Sequence, residues 1–488
     1  MQKNQIIRPE NYEDTIKKLQ NIENSLDLKT FSYKGVDLWP LLKYQIGIMN
    51  FDTFDSRKDK MLGHWKRLLI KLQLLFKNNF LKTIFYVFFK REENINFKKS
   101  SYLFLSDEYS KRLLLNKTWI DVFIYPFIKM KSIKDDDYII LRSNQNQSKL
   151  KAPFTKEVNI SSLVIRSFIE SKLVISKLSK NNQGIFNDFI KIKEIFDGNE
   201  KNLKFPKFQD LISEANFINK LSLKFHKIIN KVKPEEVIVT HYLGYVTAGI
   251  CHAAKQNGIR VSDIQHGVQG HLHPAYNFRN FPANGYNTTP DRYYVWNKND
   301  FQNIALWSDN KSVPEKEIIG NTTKYLVEKD KKIIELYNAY FESAFKHYLH
   351  KQLVLITLCW SYYIPDIFLD IISESNENTF FLIRFHPSTS EFEKKAVIAK
   401  LLNLKKQNYE IKKSSEIPIH IIFKYIQIHL GIVSTAILES LEYDIKTIAT
   451  GSRAKAYYEK QSKNGLLIFS NSSDYISSII LDDQKSAN

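Results

Sequence analysis

The stretch KPEEVIVTHYLGYVTAGICHAAKQNGIRVSDIQHG, from Lys233 to Gly267, constrains the fold more than any other part of the chain. Val237 to Thr240 is a short β-branched run that reads as a strand. Gly244 to Gln256 places apolar residues at helical spacing, and Asn257-Gly258 supplies a helix stop. Ile259 to Ile264 is the next strand. Strand, helix, strand is the unit of a parallel sheet. The segments RYYVWN and EKEIIGNTT read as two further strands.

A second series follows a long helix predicted over Ile333 to His350. It runs strand LVLITLCW, helix YIPDIFLDIISES, strand FFLIRFHP, helix EFEKKAVIAKLLNLK, strand IQIHLGIV, helix STAILESLEYD, strand KTIAT and strand GLLIF. The expected class is α/β, with two doubly wound Rossmann-like domains facing a cleft. At 488 residues the chain is too long for one core. The expected boundaries are 1–100 for a helical, basic N-terminal region, 101–330 for the first Rossmann-like domain and 331–350 for a bridging helix. The second domain is expected over 351–470, with a short C-terminal helix and tail over 471–488. The first hundred residues carry one insert expected to be extended, FSYKGVDLWPLLKYQIGI.

The formal charge of +19 points to an anionic partner: nucleic acid, acidic lipid headgroups, nucleotide-sugars or acidic glycans. Basic residues are spread along the chain and no RNA- or DNA-binding signature is present, which weakens the nucleic-acid alternative. Cys251 and Cys359 stand far apart and form no metal or disulfide framework, as in a reducing compartment. The N-terminal segment lacks the apolar core of a signal peptide, and no run of 18 uncharged apolar residues occurs, so a cytoplasmic protein is expected. Residues 65–91 carry seven Lys or Arg and no acid among many Leu and Phe. Such a segment suits the surface of an anionic bilayer, or a core helix pair with solvated lysines.

In open α/β sheets, ligands bind beyond the carboxyl ends of the strands. In the second series those ends bear Trp360 and Ser361, then Arg384, His386 and Pro387, then Ser434 and Thr435. A hydroxyl pair opening a helix offers a phosphate site, and a guanidinium and an imidazole nearby share the charge. Glu439, one turn further in, is placed to accept hydrogen bonds from ribose hydroxyls, whereas Glu442 reads as a solvated face. In the first series, DIQHGVQGHLHPAY follows a strand directly. His266 is the candidate general base, with Asp107 and Glu108 in reserve. Gln265, Gly267, His271 and His273 are candidate acceptor contacts. The spacing of His266, His271 and His273 raises a metal site, but the only local acid, Asp263, lies within the strand, so no metal is expected.

The QHG after a strand, the strand-ending His386-Pro387 and the helix-opening Ser434-Thr435 together resemble bacterial capsule and lipopolysaccharide glycosyltransferases of the GT-B fold. The similarity runs over about residues 232–470. It is nearest the CMP-sugar-dependent sialyl-, polysialyl- and Kdo-transferases, with related patterns in CDP-glycerol glycerophosphotransferases and UDP-GlcNAc 2-epimerases. The resemblance implies a GT-B-like pair of domains, with acceptor on the first and nucleotide-sugar donor on the second. It implies an inverting, metal-independent transfer to a glycan or lipid-linked acceptor, at or near the inner face of the membrane. No cofactor is implied beyond the nucleotide-sugar co-substrate. His386 and the Ser434-Thr435 pair would hold the donor phosphate. Two departures stand out: Asp107-Glu108 is followed by Tyr109 rather than glycine, and Val433-Ser434-Thr435 replaces the Ser-Gly-Gly of the epimerases.

Overall fold

Val237, Ile238 and Val239 are each 0% exposed, as a strand covered on both faces requires. The computed structural model describes residues 10–50, 97–106, 111–113, 119–143, 157–173, 183–198, 203–309, 313–359, 364–387, 389–451, 453–459 and 465–487. The basic segment 65–91, the Asp107-Glu108 pair and Trp360-Ser361 lie outside them. Packing divides the chain into two units, Met1–Thr322 and Thr323–Asn488.

The first unit opens with the helix Glu10–Ser25, a hairpin of β1 (Ser32–Tyr33) and β2 (Val36–Asp37), and the helix Trp39–Asn50. Lys34 and Gly35 take φ of 52° and 78° between the two short strands, the left-handed pair a tight two-residue hairpin needs. The insert expected to be extended is therefore half helix. Pro40 falls in the first turn, where its missing N–H leaves no bond unmade. These N-terminal elements are fastened to the segment 271–280. The Tyr12 hydroxyl donates to Leu272 O at 2.9 Å, and Gln20 Nε2 donates to Asn277 Oδ1 at 2.9 Å. At Gly47 a Cβ would stand 2.5 Å from Pro274, so only glycine permits this contact.

Five further strands carry the unit into its main sheet: β3 (Tyr102–Ser106), β4 (Lys111–Leu113), β5 (Trp119–Asp121), β6 (Tyr138–Arg142) and β7 (Glu157–Asn159). They are followed by β8 (Glu236–Val239), β9 (Arg260–Ile264), β10 (Arg292–Val295) and β11 (Glu315–Ile318). β4 and β5 form a small antiparallel pair; the other seven form one sheet in the order β11-β10-β9-β8-β3-β6-β7. All its pairings are parallel. The strands and crossover helix expected over Val237–Ile264 are present as β8, the helix Tyr245–Gln256 and β9.

The second unit contains β12 (Gln352–Thr357), β13 (Thr379–Arg384), β14 (Tyr409–Glu410), β15 (Ile428–Gly431), β16 (Lys446–Ala449) and β17 (Leu467–Phe469). They form a parallel sheet in the order β14-β13-β12-β15-β16-β17. Both units are thus Rossmann-like α/β layers, as expected. The helix Lys331–Phe345 is shorter than predicted and packs within this unit, where Phe341 stacks on Tyr425 with ring centroids 4.1 Å apart. The C-terminal helix is longer than predicted, Ser473–Ala487. Ile476 and Ile480 bury there against the helix Asp366–Glu374, which turns an expected tail into part of the core.

Candidate functional site

In the first sheet the chain runs outward from β3 through β6 and β7, then returns to β8 and runs the other way through β9, β10 and β11. The order reverses between β3 and β8. In the second sheet it reverses between β12 and β15. Such switch points are where parallel α/β sheets leave a crevice for ligands.

At the first switch point β3 ends in Ser106, whose hydroxyl donates to Asp121 Oδ2 at 2.6 Å. The other oxygen of Asp121 accepts the backbone N–H groups of Phe123 and Ile124 at 3.0 and 2.9 Å. That fixes the segment leading into the helix Ile124–Met130. The ring of Phe123 meets His266 edge-on, with centroids 6.3 Å apart. His241, two residues past β8, packs nearly perpendicular to His266, two residues past β9, with centroids 4.6 Å apart. His273 lies against Tyr276 at 5.0 Å. The Tyr276 hydroxyl donates to Asp263 Oδ2 at 3.0 Å, beneath the cluster.

Burial, with His241 and His273 alongside, pushes the His266 imidazole well below its ordinary value. Burial and His241 hold His273 down to about 3. Ala275 N donates to His273 Nδ1 at 3.2 Å, so that ring carries its proton on Nε2. His266 Nδ1 is buried without a hydrogen-bond partner among the described residues. Both rings are therefore neutral at pH 7. Burial raises the Asp263 carboxyl, opposed by the Tyr276 hydroxyl and the Tyr242 backbone.

The other candidates nearby have structural contacts. Gln265 is buried; its side-chain oxygen accepts Trp296 N at 2.7 Å, and its Nε2 donates to Gly267 O and Asp300 Oδ2 at 2.9 and 3.0 Å. His271 offers its carbonyl to Asn277 Nδ2. Among the described residues no group of three or more His, Cys, Asp or Glu is arranged to hold a metal ion. Sequence reasoning missed His241, although it directly follows the strand run VIVT, much as Gln265-His266 follow VSDI. It also missed Ser106, Asp121 and Tyr276, which join the site only through folding.

At the second switch point Ser434 caps the helix Thr435–Leu441, its side chain accepting Ala436 N at 3.2 Å. Its carbonyl accepts the Tyr458 hydroxyl at 2.9 Å. His386 is half-buried and Pro387 exposed, past the end of β13. Arg384 Nη1 donates to Ser414 O at 2.5 Å and to Ile417 O, at the end of the helix Lys412–Glu416. Glu439, 8% exposed, stands with Oε1 3.3 Å from His420 Nε2. Glu442 meets Lys324 at 3.0 Å.

The fold and these two strand-end sites define an α/β protein with a histidine cluster at one switch point and a hydroxyl-capped helix at the other. No family model matches the chain, and no curated protein matches it in sequence. Among solved structures it is similar to UDP-GlcNAc 2-epimerase from Neisseria meningitidis bound to UDP-GlcNAc, at 14% identity over 78% of this chain and 90% of that one, TM-score 0.47. It is similar to UDP-GlcNAc 2-epimerase from Methanocaldococcus jannaschii, at 11% identity over 79% and 91%, TM-score 0.45. The apo lipopolysaccharide outer core galactosyltransferase WaaB is also similar, at 11% identity over 77% and 88%, TM-score 0.36. At these scores the likeness adds nothing to what the sheet topology itself establishes.

Proposed function

We propose that the chain is a GT-B-type glycosyltransferase of bacterial surface-polysaccharide synthesis, transferring a sugar from a nucleotide-sugar, a CMP-sugar by the motif resemblance. The observation that carries this is the chemistry at the two switch points. A neutral imidazole, His266, stands at one; hydroxyls at a helix start, Ser434 and Thr435, stand at the other with His386 past β13. The donor belongs to the second unit and the acceptor to the first. The acceptor oxygen attacks the anomeric carbon while its proton passes to His266, and the bond from that carbon to phosphate oxygen breaks, its electron pair leaving on the phosphate. The Ser434 and Thr435 hydroxyls, the helix N–H groups and His386 stabilise that charge. Glu439 is the candidate ribose contact, held by His420. A glycan or lipid-linked acceptor suits the positive charge.

The test is thermal-shift binding with CMP, CDP, UDP, UMP and GDP on the wild type and His386→Ala. Stabilisation by CMP that the variant loses supports a CMP-sugar transferase. A CDP or UDP response transfers the donor class to a glycerophosphotransferase or an epimerase. No nucleotide response sinks the enzyme and leaves a basic binding protein.

A further inference from the structure

We propose that the outer face of the helix Glu391–Leu402, in the second unit, pairs antiparallel with the same helix of a second copy of this chain. The helix opens with a capping box: the Ser390 side chain accepts Glu393 N at 3.3 Å, and Ser390 N donates to Glu393 Oε2 at 2.6 Å. Val397 and Leu401, each 1% exposed, turn into the core. That orientation leaves Phe392 77%, Leu402 61% and Ile398 37% exposed on the other side. Phe392, Ala396, Ala399 and Leu402 recur at helical spacing and share one face, and both alanines are exposed. The outward row of a solvated helix is charged or polar; this row is apolar, with Lys395 beside it. A phenylalanine and a leucine exposed in one stripe mark an interaction surface, unlike apolar residues scattered singly.

Three observations select a second copy as the occupant. The first is charge. Glu391, its side chain 80% exposed and 2.6 Å from Lys394, stands at the start of the stripe, and Lys405, also exposed, lies just past its end. Laid antiparallel about a two-fold axis, the acid of each copy meets the lysine of the other, which is the self-complementarity an isologous contact requires. The second is shape. The same pairing sets Phe392 of each copy over Leu402 of the other, with Ala396 and Ala399 between, where small side chains let two helices approach to about 8 Å. The third is where the positive charge of the chain lies. Residues 323–488 carry 21 Lys or Arg against 19 Asp or Glu, so the formal +19 belongs almost wholly to the first unit. The neighbouring helix Asp366–Glu374, joined through Lys400 and Asp366 at 3.5 Å, exposes Asp366, Asp370 and Glu374. An anionic bilayer laid on this face would meet those three acids as well. A helix of this length rises about 18 Å. The contact is thus smaller than the roughly 800 Å² per partner of a standard interface, and a micromolar dissociation constant is expected.

Sedimentation velocity on the full chain, from about 1 to 200 μM, reads the self-association directly. The expected result is a mass that climbs from one chain toward two across that range. Phe392→Asp and Leu402→Lys should each weaken dimerisation at least about tenfold, since a two-fold axis counts every substitution twice. Both positions are exposed and both new charges suit their end of the helix dipole, so urea midpoints should not fall. Glu391→Lys and Lys405→Glu should each weaken the dimer, and the double variant should recover it, which a merely sticky apolar face does not do. A wild type that stays a single chain throughout overturns the proposal. So does a dimer that Phe392→Asp and Leu402→Lys leave intact, which moves the contact to another surface. Flotation with phosphatidylglycerol vesicles runs beside these measurements. A single-chain wild type that binds vesicles, with binding lost in Phe392→Asp, gives the face to lipid instead. No reading here depends on turnover, so the dimer stands or falls apart from the proposed transfer.

Discussion

Glu23 and Lys43, on two N-terminal helices, form an ion pair of 2.7 Å with each side chain only 1% exposed. Trp39 Nε1 donates to the same carboxylate oxygen at 2.8 Å, and Arg279 N donates to the other at 2.8 Å. Lys43 also donates to Asn277 O and lies 4.1 Å from the centre of the Phe278 ring. The pair therefore ties the N-terminal helices to the segment that follows His273. Removing one partner strands the other charge out of water. Lys43→Met should destabilise the first unit by about 3–5 kcal/mol. The double variant Glu23→Leu/Lys43→Met should recover part of that loss, since an apolar pair leaves no charge unpaired but strands the Trp39 and Arg279 N–H groups. Urea unfolding of the three proteins checks this, and equal losses in single and double variants would contradict it.

His429 should make the second unit less stable in acid. It is 0% exposed, with Nε2 2.9 Å from Thr357 Oγ1 and Nδ1 3.0 Å from Ser440 Oγ. Burial holds its imidazole down to about 3, against about 6.5 in an unfolded chain. Between these values the unfolded state binds the proton and the folded state does not. Stability is therefore full above pH 6.5 and falls as the pH drops below it, by about 2 kcal/mol at pH 5 from this residue alone. His429→Gln should be less stable at pH 7 yet lose less on going to pH 5. Denaturant midpoints at the two pH values measure the difference.

Arg384 was legible as a cation at a strand end, but its partners were not. Ser414 O and Ile417 O lie 30 and 33 residues further on. They belong to a short helix with no periodic pattern of its own, so nothing local announces the contact. Arg384→Ala should cost about 1.5–3 kcal/mol per lost charge-assisted bond and loosen the helix Lys412–Glu416. Its effect on nucleotide affinity should be smaller than that of His386→Ala. Hydrogen exchange over 410–418, beside the thermal-shift panel, resolves the two effects. A larger affinity loss in Arg384→Ala would make the guanidinium a direct phosphate contact.

The same asymmetry runs through the whole chain. β8, β9, β12, β13 and β15 were visible because buried parallel strands are short β-branched or apolar runs closed by Gly, Asn or polar residues. Ser434 was visible because a helix cap is written within three residues. The helix Trp39–Asn50 was missed because its aromatic and β-branched content suits a strand, and tertiary burial of Trp39, Leu42 and Ile46 overrides that preference. His241 and His266 stand 25 positions apart, and only the pairing of Val239 with Asp263 brings their rings together. Glu439 read as a ribose contact from helical position alone; His420, which meets it, lies on another element.

Under the proposed transfer, the imidazole cluster predicts a particular separation in the pH dependence of turnover. In the ligand-free protein the His266 imidazole is held well below its ordinary value, because burial, His241 and His273 all oppose its charge. The acid limb of kcat/KM, which reports free enzyme, should therefore lie well below pH 6.5. Once an anionic substrate is bound, the positive form is favoured and the base is lost to protonation at a higher pH. The acid limb of kcat, which reports the bound enzyme, should then lie above that of kcat/KM. Removing a neighbouring imidazole in His241→Asn relieves the repulsion in the free enzyme and should bring the two limbs closer. Initial rates from pH 5 to 8, at saturating and limiting acceptor, measure both. Coincident limbs in the wild type would mean that no anion shares the site with the base, and that the proton goes to a group other than His266.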